Sequence, residues 1–197
     1  MRYLSVQIIF PIFMVLASTA WAASPKPSGY LSDYSHLSHG DSLEAFWADS
    51  AAITPASEIV LGEITEPHLK DKKHVTVEEC ANWLERDVLN HALFSNNAPG
   101  ARYRMDLAIT HMDPGSASKR LMAGELGAGH AQVQVEGKVI DTESGKSVAE
   151  FAERRSSSGA IGIKDLKGDS GPELIEHLIK LISDDVASEM GRTFSAR

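Results

Sequence analysis

The chain carries one cysteine, Cys80, among 197 residues. A single thiol forms no internal disulfide, no thiolate zinc site and no Cys-x-x-Cys redox pair. Cations are also scarce. Nineteen Lys and Arg stand against 27 Asp and Glu, the net charge is -8, and no block of clustered Lys or Arg occurs. That balance excludes a nucleic-acid partner, because holding phosphates needs gathered positive charge. Several catalytic and metal signatures are missing as well. There is no His-Glu-x-x-His, no Gly-x-Ser-x-Gly elbow, no full Gly-x-x-x-x-Gly-Lys-Ser/Thr phosphate loop (Gly145-Lys146-Ser147 lacks its leading glycine) and no EF-hand spacing,.

What is present first is an export address. Met1-Arg2 gives a basic start, and Gln7 to Ala17 is almost wholly apolar. Ala20, Ala22 and Ala23 then set small residues around a cleavage point after Ala22, the pattern of a secretory signal. The apolar run is too short for the ~20 residues that span a bilayer as a helix. No later run is long enough either, so no membrane span is expected. A lipoprotein needs a cysteine directly after the cleavage point. Ala23 stands there, so no lipid anchor is expected. The reading is a signal peptide over 1–22, an extended leader over 23–57 and a single domain over 58–197, located in the periplasm.

With 43% hydrophobic and 23% charged residues the remainder has an ordinary globular composition,. Glu58 to Ile64 reads as a strand between Pro55 and Pro67. Thr76 and Glu79 form a Thr-x-x-Glu capping box, with Val75 and Cys80 as its hydrophobic staple. The helix they open is expected to run to Phe94, with Val77, Cys80, Ala81, Leu84, Val88 and Ala92 as its apolar stripe. Strands follow at Tyr103–Met112, Ala131–Ile140 and Val148–Arg155. The turn at 141–146 gives Gly145 the left-handed position. A last helix opens at Gly171-Pro172 and is expected to stop at Gly191. In the leader, Ser42 to Ala48 is expected as a short helical turn.

The order β-α-β-β-β-α predicts an α/β (α+β) fold with a four-stranded mixed sheet and both helices on one face. The other face would be polar and open, presenting Gln132, Gln134, Glu136 and Lys138.

Few residues invite a chemical role. Cys80 lies on an apolar stripe beside Glu78 and Glu79, which suits a buried thiol and not a nucleophile. His36 and His39 are spaced His-x-x-His, but the leader around them offers no tight ligand set. Gly124, Gly127 and Gly129 precede a strand where a dinucleotide fingerprint must follow one. No nucleophile, base and oxyanion donors come together, so no enzyme is expected, and no cofactor. Tyr30, Leu31 and Tyr34 in the leader, with Gln132 and Gln134 on the polar face, are the candidate contacts for a partner or for the chain's own core.

Ser28 to Leu37 reads SGYLSDYSHL, which resembles the opening of the bacterial envelope family called domain of unknown function 3313. The stretch from Gly127 to Arg155, with its glycines, alternating strand, Asp-x-x-Ser-Gly turn and return strand, resembles that family. It also resembles the related domain of unknown function 4410. The resemblance spans about Ser28 to Met190 and implies an exported protein of a Gram-negative cell envelope, commonly a lipoprotein, with no established activity. This chain departs from it by lacking the lipidation cysteine.

The expected function is therefore an exported, non-enzymatic envelope module that binds another envelope protein or a second copy of itself. The alternative is a periplasmic protein that binds a small ligand or a metal. N-terminal sequencing of the exported chain is expected to start at Ala23, and labelled palmitate is expected to leave it unlabelled. Incorporation of label contradicts the unanchored reading.

Overall fold

Thr76 caps the first helix as its spacing predicts. Its hydroxyl accepts the Glu79 N–H and the Glu79 carboxylate takes the Thr76 N–H, so two orphan donors are satisfied at once,. Val75 and Cys80 are both fully buried beside the cap. The computed structural model describes residues 24–56, 58–72, 74–116, 129–157 and 171–195. Ala20, Ala22 and Ala23 of the expected cleavage site lie outside the described residues, as do Gly124 and Gly127 and the segment 158–170.

The elements are β1 (Ala45–Ala48), β2 (Ile59–Thr65), α1 (Val77–Leu89), β3 (Phe94–Ser95), β4 (Tyr103–Asp113), β5 (Gln132–Asp141), β6 (Ser147–Ser156) and α2 (Gly171–Phe194). They form a mixed sheet of six strands in the order β1-β6-β5-β4-β2-β3. The four-stranded sheet expected from the sequence is thus corrected. Its four strands form the middle of the sheet, with β2 parallel to β4 and β4-β5-β6 an antiparallel meander. The two additional strands sit at the edges. β1 occupies the segment expected as a helical turn and pairs antiparallel with β6. β3 falls where α1 was expected to continue. The helix stops at Asn90, and Phe94 turns back to pair with Ile59. Both edges escaped notice for one reason: strands of four and two residues are too short to show a period.

The helices pack on each other, α1 also against β2 and α2 against β5 and β6. Between them and the sheet lies the apolar core, which includes Leu84, Met105, Val135, Phe151, Ile175 and Ile182. Gly137 in β5 is required there. A β-carbon at that position would sit 2.4 Å from the Phe151 ring, so the ring covers the bare glycine,. α2 continues through Gly191 because Phe194, fully buried, packs edge-on against Tyr103 at 4.9 Å. The core contact outweighs the stop signal.

Two acidic side chains on this inner face hold the approach to β1. Glu189 of α2 accepts the N–H groups of Ser42 at 2.6 Å and Leu43 at 3.3 Å. Glu153 of β6 accepts the next N–H, that of Glu44, at 2.6 Å. Arg155 lies 3.0 Å from Glu153 and also pairs with Asp185 of α2 at 2.5 Å. Burial still dominates at Glu153 and pushes its carboxyl up to about 7 despite the Arg155 charge,.

The sign follows from linkage. The folded chain keeps a proton on Glu153 that the unfolded chain has lost, so this stability is full below the ordinary value near 4.5 and declines as pH rises to about 7,. Glu153→Gln removes the titration while keeping an acceptor for Glu44. Its urea unfolding free energy is expected to lose roughly 2–3 kcal/mol less than the parent between pH 4.5 and 8. Equal pH slopes for the two proteins would contradict this origin.

Candidate functional site

The outer face of the sheet is polar, as the alternation in β5 predicts, but it is not open. Residues 24–37 lie across it as a strap, and Gln134 and Glu136 beneath are buried. The expectation of an open face is corrected, and the reason is electrostatic. A carboxylate and an amide in mid-sheet have strong hydrogen-bonding needs, and the strap meets them.

Glu136 is the centre. Its Oε2 accepts the Tyr34 hydroxyl at 2.5 Å. Its Oε1 accepts the Thr110 hydroxyl at 2.9 Å and the Gln134 amide at 2.8 Å. Thr110 is the extra residue of a bulge in β4, where the register slips between Ile109 and His111,. Gln134 also acts as a surrogate strand. Its Oε1 accepts the Lys26 N–H at 2.9 Å and its Nε2 donates to the Lys26 carbonyl at 2.6 Å.

Tyr34 organises the strap as well as tethering it. Its hydroxyl oxygen accepts from the backbone N–H groups of Ser28, Gly29 and Leu31 at 3.2, 3.0 and 3.2 Å. Gly29 has φ +91°, a left-handed conformation that glycine adopts without strain and that lets these amides converge,. Leu31 is buried. Lys138 lies over the Tyr30 ring at 4.9 Å,. His36 meets Glu150 of β6 at 3.1 Å and the edge of Trp47 at 4.9 Å.

The structure therefore brings Tyr30, Leu31 and Tyr34 onto the face that carries Gln132 and Gln134. Gln132 sits at one end, where its Oε1 accepts Arg154 at 2.6 Å. His36 and His39 do not converge on a shared point, since His39 approaches Glu44 instead. Among the described residues no three His, Cys, Asp or Glu gather as a metal site. Cys80 is buried against Met112, and burial pushes its thiol up to about 12.

Beside the strap opens a cleft of about 400 Å³ lined by Ser28, Gly29, Tyr30, Pro67, His68 and Thr110. Burial raises the Tyr30 phenol above its ordinary range, and Asp106, Glu63 and Glu136 add to the effect. His68 is held at φ +65°, an uncommon conformation for a residue with a side chain,. Among the described residues that line the cleft, no hydrogen bond joins His68 to Ser28, Tyr30 or Thr110. Glu136, which accepts from Thr110 of the cleft wall, has both oxygens occupied.

Strand alternation places Glu136 on the polar face, and Thr110 with Arg104 and Asp106 on one side of β4, but it marks neither as part of a hub and gives His68 no role. The uninterrupted Gln-x-Gln-x-Glu row was the available signal for Glu136. Nothing local marks the bulge at Thr110.

Residues 42–160 match the family model described as Domain of unknown function (DUF4410), more than half of the chain. No curated protein matches the sequence. Among solved structures, the fold is similar to a PelC dodecamer subunit from Paraburkholderia phytofirmans. The two are 12% identical, with 68% of this chain and 92% of that one covered and a TM-score of 0.39. It is also similar to a Xanthomonas campestris protein matching the DUF330 model, 9% identical, covering 72% and 91%, with a TM-score of 0.43. A third is a lipoprotein from Neisseria meningitidis, 12% identical, covering 68% and 99%, with a TM-score of 0.32. No helix among the described residues is long and apolar enough to cross a membrane.

Tyr34→Phe removes the donor to Glu136 and the acceptor for three amides. The variant is expected to lose about 1–3 kcal/mol of stability, and hydrogen exchange is expected to rise across residues 26–37 while α2 keeps its protection. Unchanged strap exchange would show that Tyr34 is not the tether.

Proposed function

We propose that this chain, which belongs to the DUF4410 family, is an exported, non-enzymatic accessory module of a bacterial cell envelope that works by binding another envelope protein. One observation carries the reading. Among the described residues the two carboxylates buried in the outer face are both taken up by the fold, Glu136 by Tyr34, Thr110 and Gln134 and Glu150 by His36 of the strap, so the polar cluster serves architecture,.

The strap supports the same reading. Its backbone is held from below while Ser32, Asp33 and Ser35 stay exposed, which suits a surface offered to a partner. The proposed location is the periplasm, with export resting on the Met1–Ala22 pattern and the unanchored mature end on Ala23. We extend the relation to the family of domain of unknown function 3313 through Ser28–Leu37, since those residues build the Tyr34 hub.

A photo-reactive amino acid placed at Ser32 or Asp33 tests the function in the intact cell at native abundance. The expected result is one discrete adduct with a different envelope protein. No adduct at either position, or adducts only with a second copy, would overturn the heterologous-partner reading.

A further inference from the structure

Arg154 presents an unsolved charge. It lies in β6 with 7% of its surface exposed, and among the described residues no carboxylate lies within ion-pair distance of its guanidinium. Its hydrogen-bond partners are neutral: Nη2 donates to the Gln132 Oε1 at 2.6 Å and Nη1 to the Gln134 Oε1 at 3.4 Å. Every other described arginine except Arg154 has an acidic partner: Arg86 with Asp87, Arg102 with Asp141, Arg104 with Asp106, Arg155 with Glu153 and Arg192 with Glu189. Burying a cation without a counter-charge is costly, and a guanidinium has five N–H groups to satisfy.

The strand register shows what surrounds it. Arg154 stands directly opposite Gln134, which stands directly opposite His111 of β4. The three form one cross-strand row, so His111 and Arg154 are roughly 10 Å apart along the sheet. Three cations bear on its His111 end, while Glu136 adjoins Gln134 at its middle. Burial and then Arg154 hold the His111 imidazole below its ordinary range, with Lys26 of the strap and Lys72 ahead of α1 adding to the effect. Asp113 is the acid that opposes them there, and its Oδ1 accepts the Gly115 N–H. In a chain of net charge -8, this is a local concentration of cations.

We propose that the His111–Gln134–Arg154 row, flanked by Lys26 and Lys72, is a binding site for a small oxyanion of the phosphate class. Arg154 supplies the planar donor pair that such an anion accepts, and His111, Lys26 and Lys72 supply the further positive charge that a dianion requires. The Gln132 and Gln134 amides orient the guanidinium in advance. This site stands apart from the protein-partner reading, which neither depends on it nor fails with it.

The test uses the mature full chain in chloride buffer of fixed ionic strength. Inorganic phosphate is titrated while the melting temperature and the His111 ring resonances are followed. The expected result is a saturable rise in melting temperature and an upward move of the His111 titration, because a bound anion favours the imidazolium. Arg154→Gln is expected to weaken the apparent affinity at least tenfold. Lys26→Ala and His111→Gln, both at less buried positions, are each expected to weaken it severalfold, and they keep the test open should Arg154→Gln fail to fold. Vesicles containing phosphatidic acid form a second arm. Binding to these without a response to inorganic phosphate assigns the same chemistry to a lipid headgroup. Acetate acting as well as phosphate, no response in either arm, or an undiminished response in the Lys26 and His111 variants would each overturn the proposal.

Discussion

A buried carboxylate in the middle of a sheet governs the outer half of this molecule. Glu136 is wholly withdrawn from water, and it is accommodated because Tyr34, Thr110 and Gln134 all donate to it. A carboxyl group in such a place is tolerable only when its hydrogen-bonding capacity is met. Of the three donors only Tyr34 comes from outside the sheet. The strap is therefore part of the fold's electrostatic solution, and its internal turn, gathered around the same hydroxyl, forms with it.

The inner face uses the same device for a different end. There the bulk of the stabilisation comes from apolar packing between α1, α2 and the sheet,. Yet Glu153 and Glu189 reach out of that core to take three successive N–H groups of residues 42–44. Both faces of the sheet thus hold the N-terminal segment by carboxylates, one before β1 through Tyr34 and one at its threshold. The segment is pinned without a helix or a long strand of its own, with Leu31, Tyr34 and Leu43 turned inward and Ser32, Asp33 and Ser35 left exposed.

Charge is distributed unevenly over this plan. The chain is acidic, and most described arginines are paired with carboxylates. Arg154 is the exception, and it shares a cross-strand row with Gln134 and His111, whose imidazole burial and then Arg154 hold below its ordinary range. Membership in the DUF4410 family supplies no activity to set against these observations. The chain's polar groups are of two kinds, those whose hydrogen-bonding capacity the fold takes up and those it leaves with N–H groups to spare. Glu136 belongs to the first kind and Arg154 to the second.

The sequence by itself determined the pieces whose causes are local. The capping box at Thr76 and Glu79, the alternation of β5, the left-handed Gly145 at φ +70° and the buried stripe of α2 each arise from neighbours a few residues apart,. The same alternation marked Gln134 and Glu136 as one polar face. Only the tertiary structure decided what covers that face, because Tyr34 and Glu136 are 102 residues apart and Lys26 and Gln134 are 108. No period or spacing relates such positions. The edge strands β1 and β3 likewise exist only because β6 and β2 offer them partners. Local signals set which groups a strand presents, and long-range hydrogen bonding alone selects the groups that meet them.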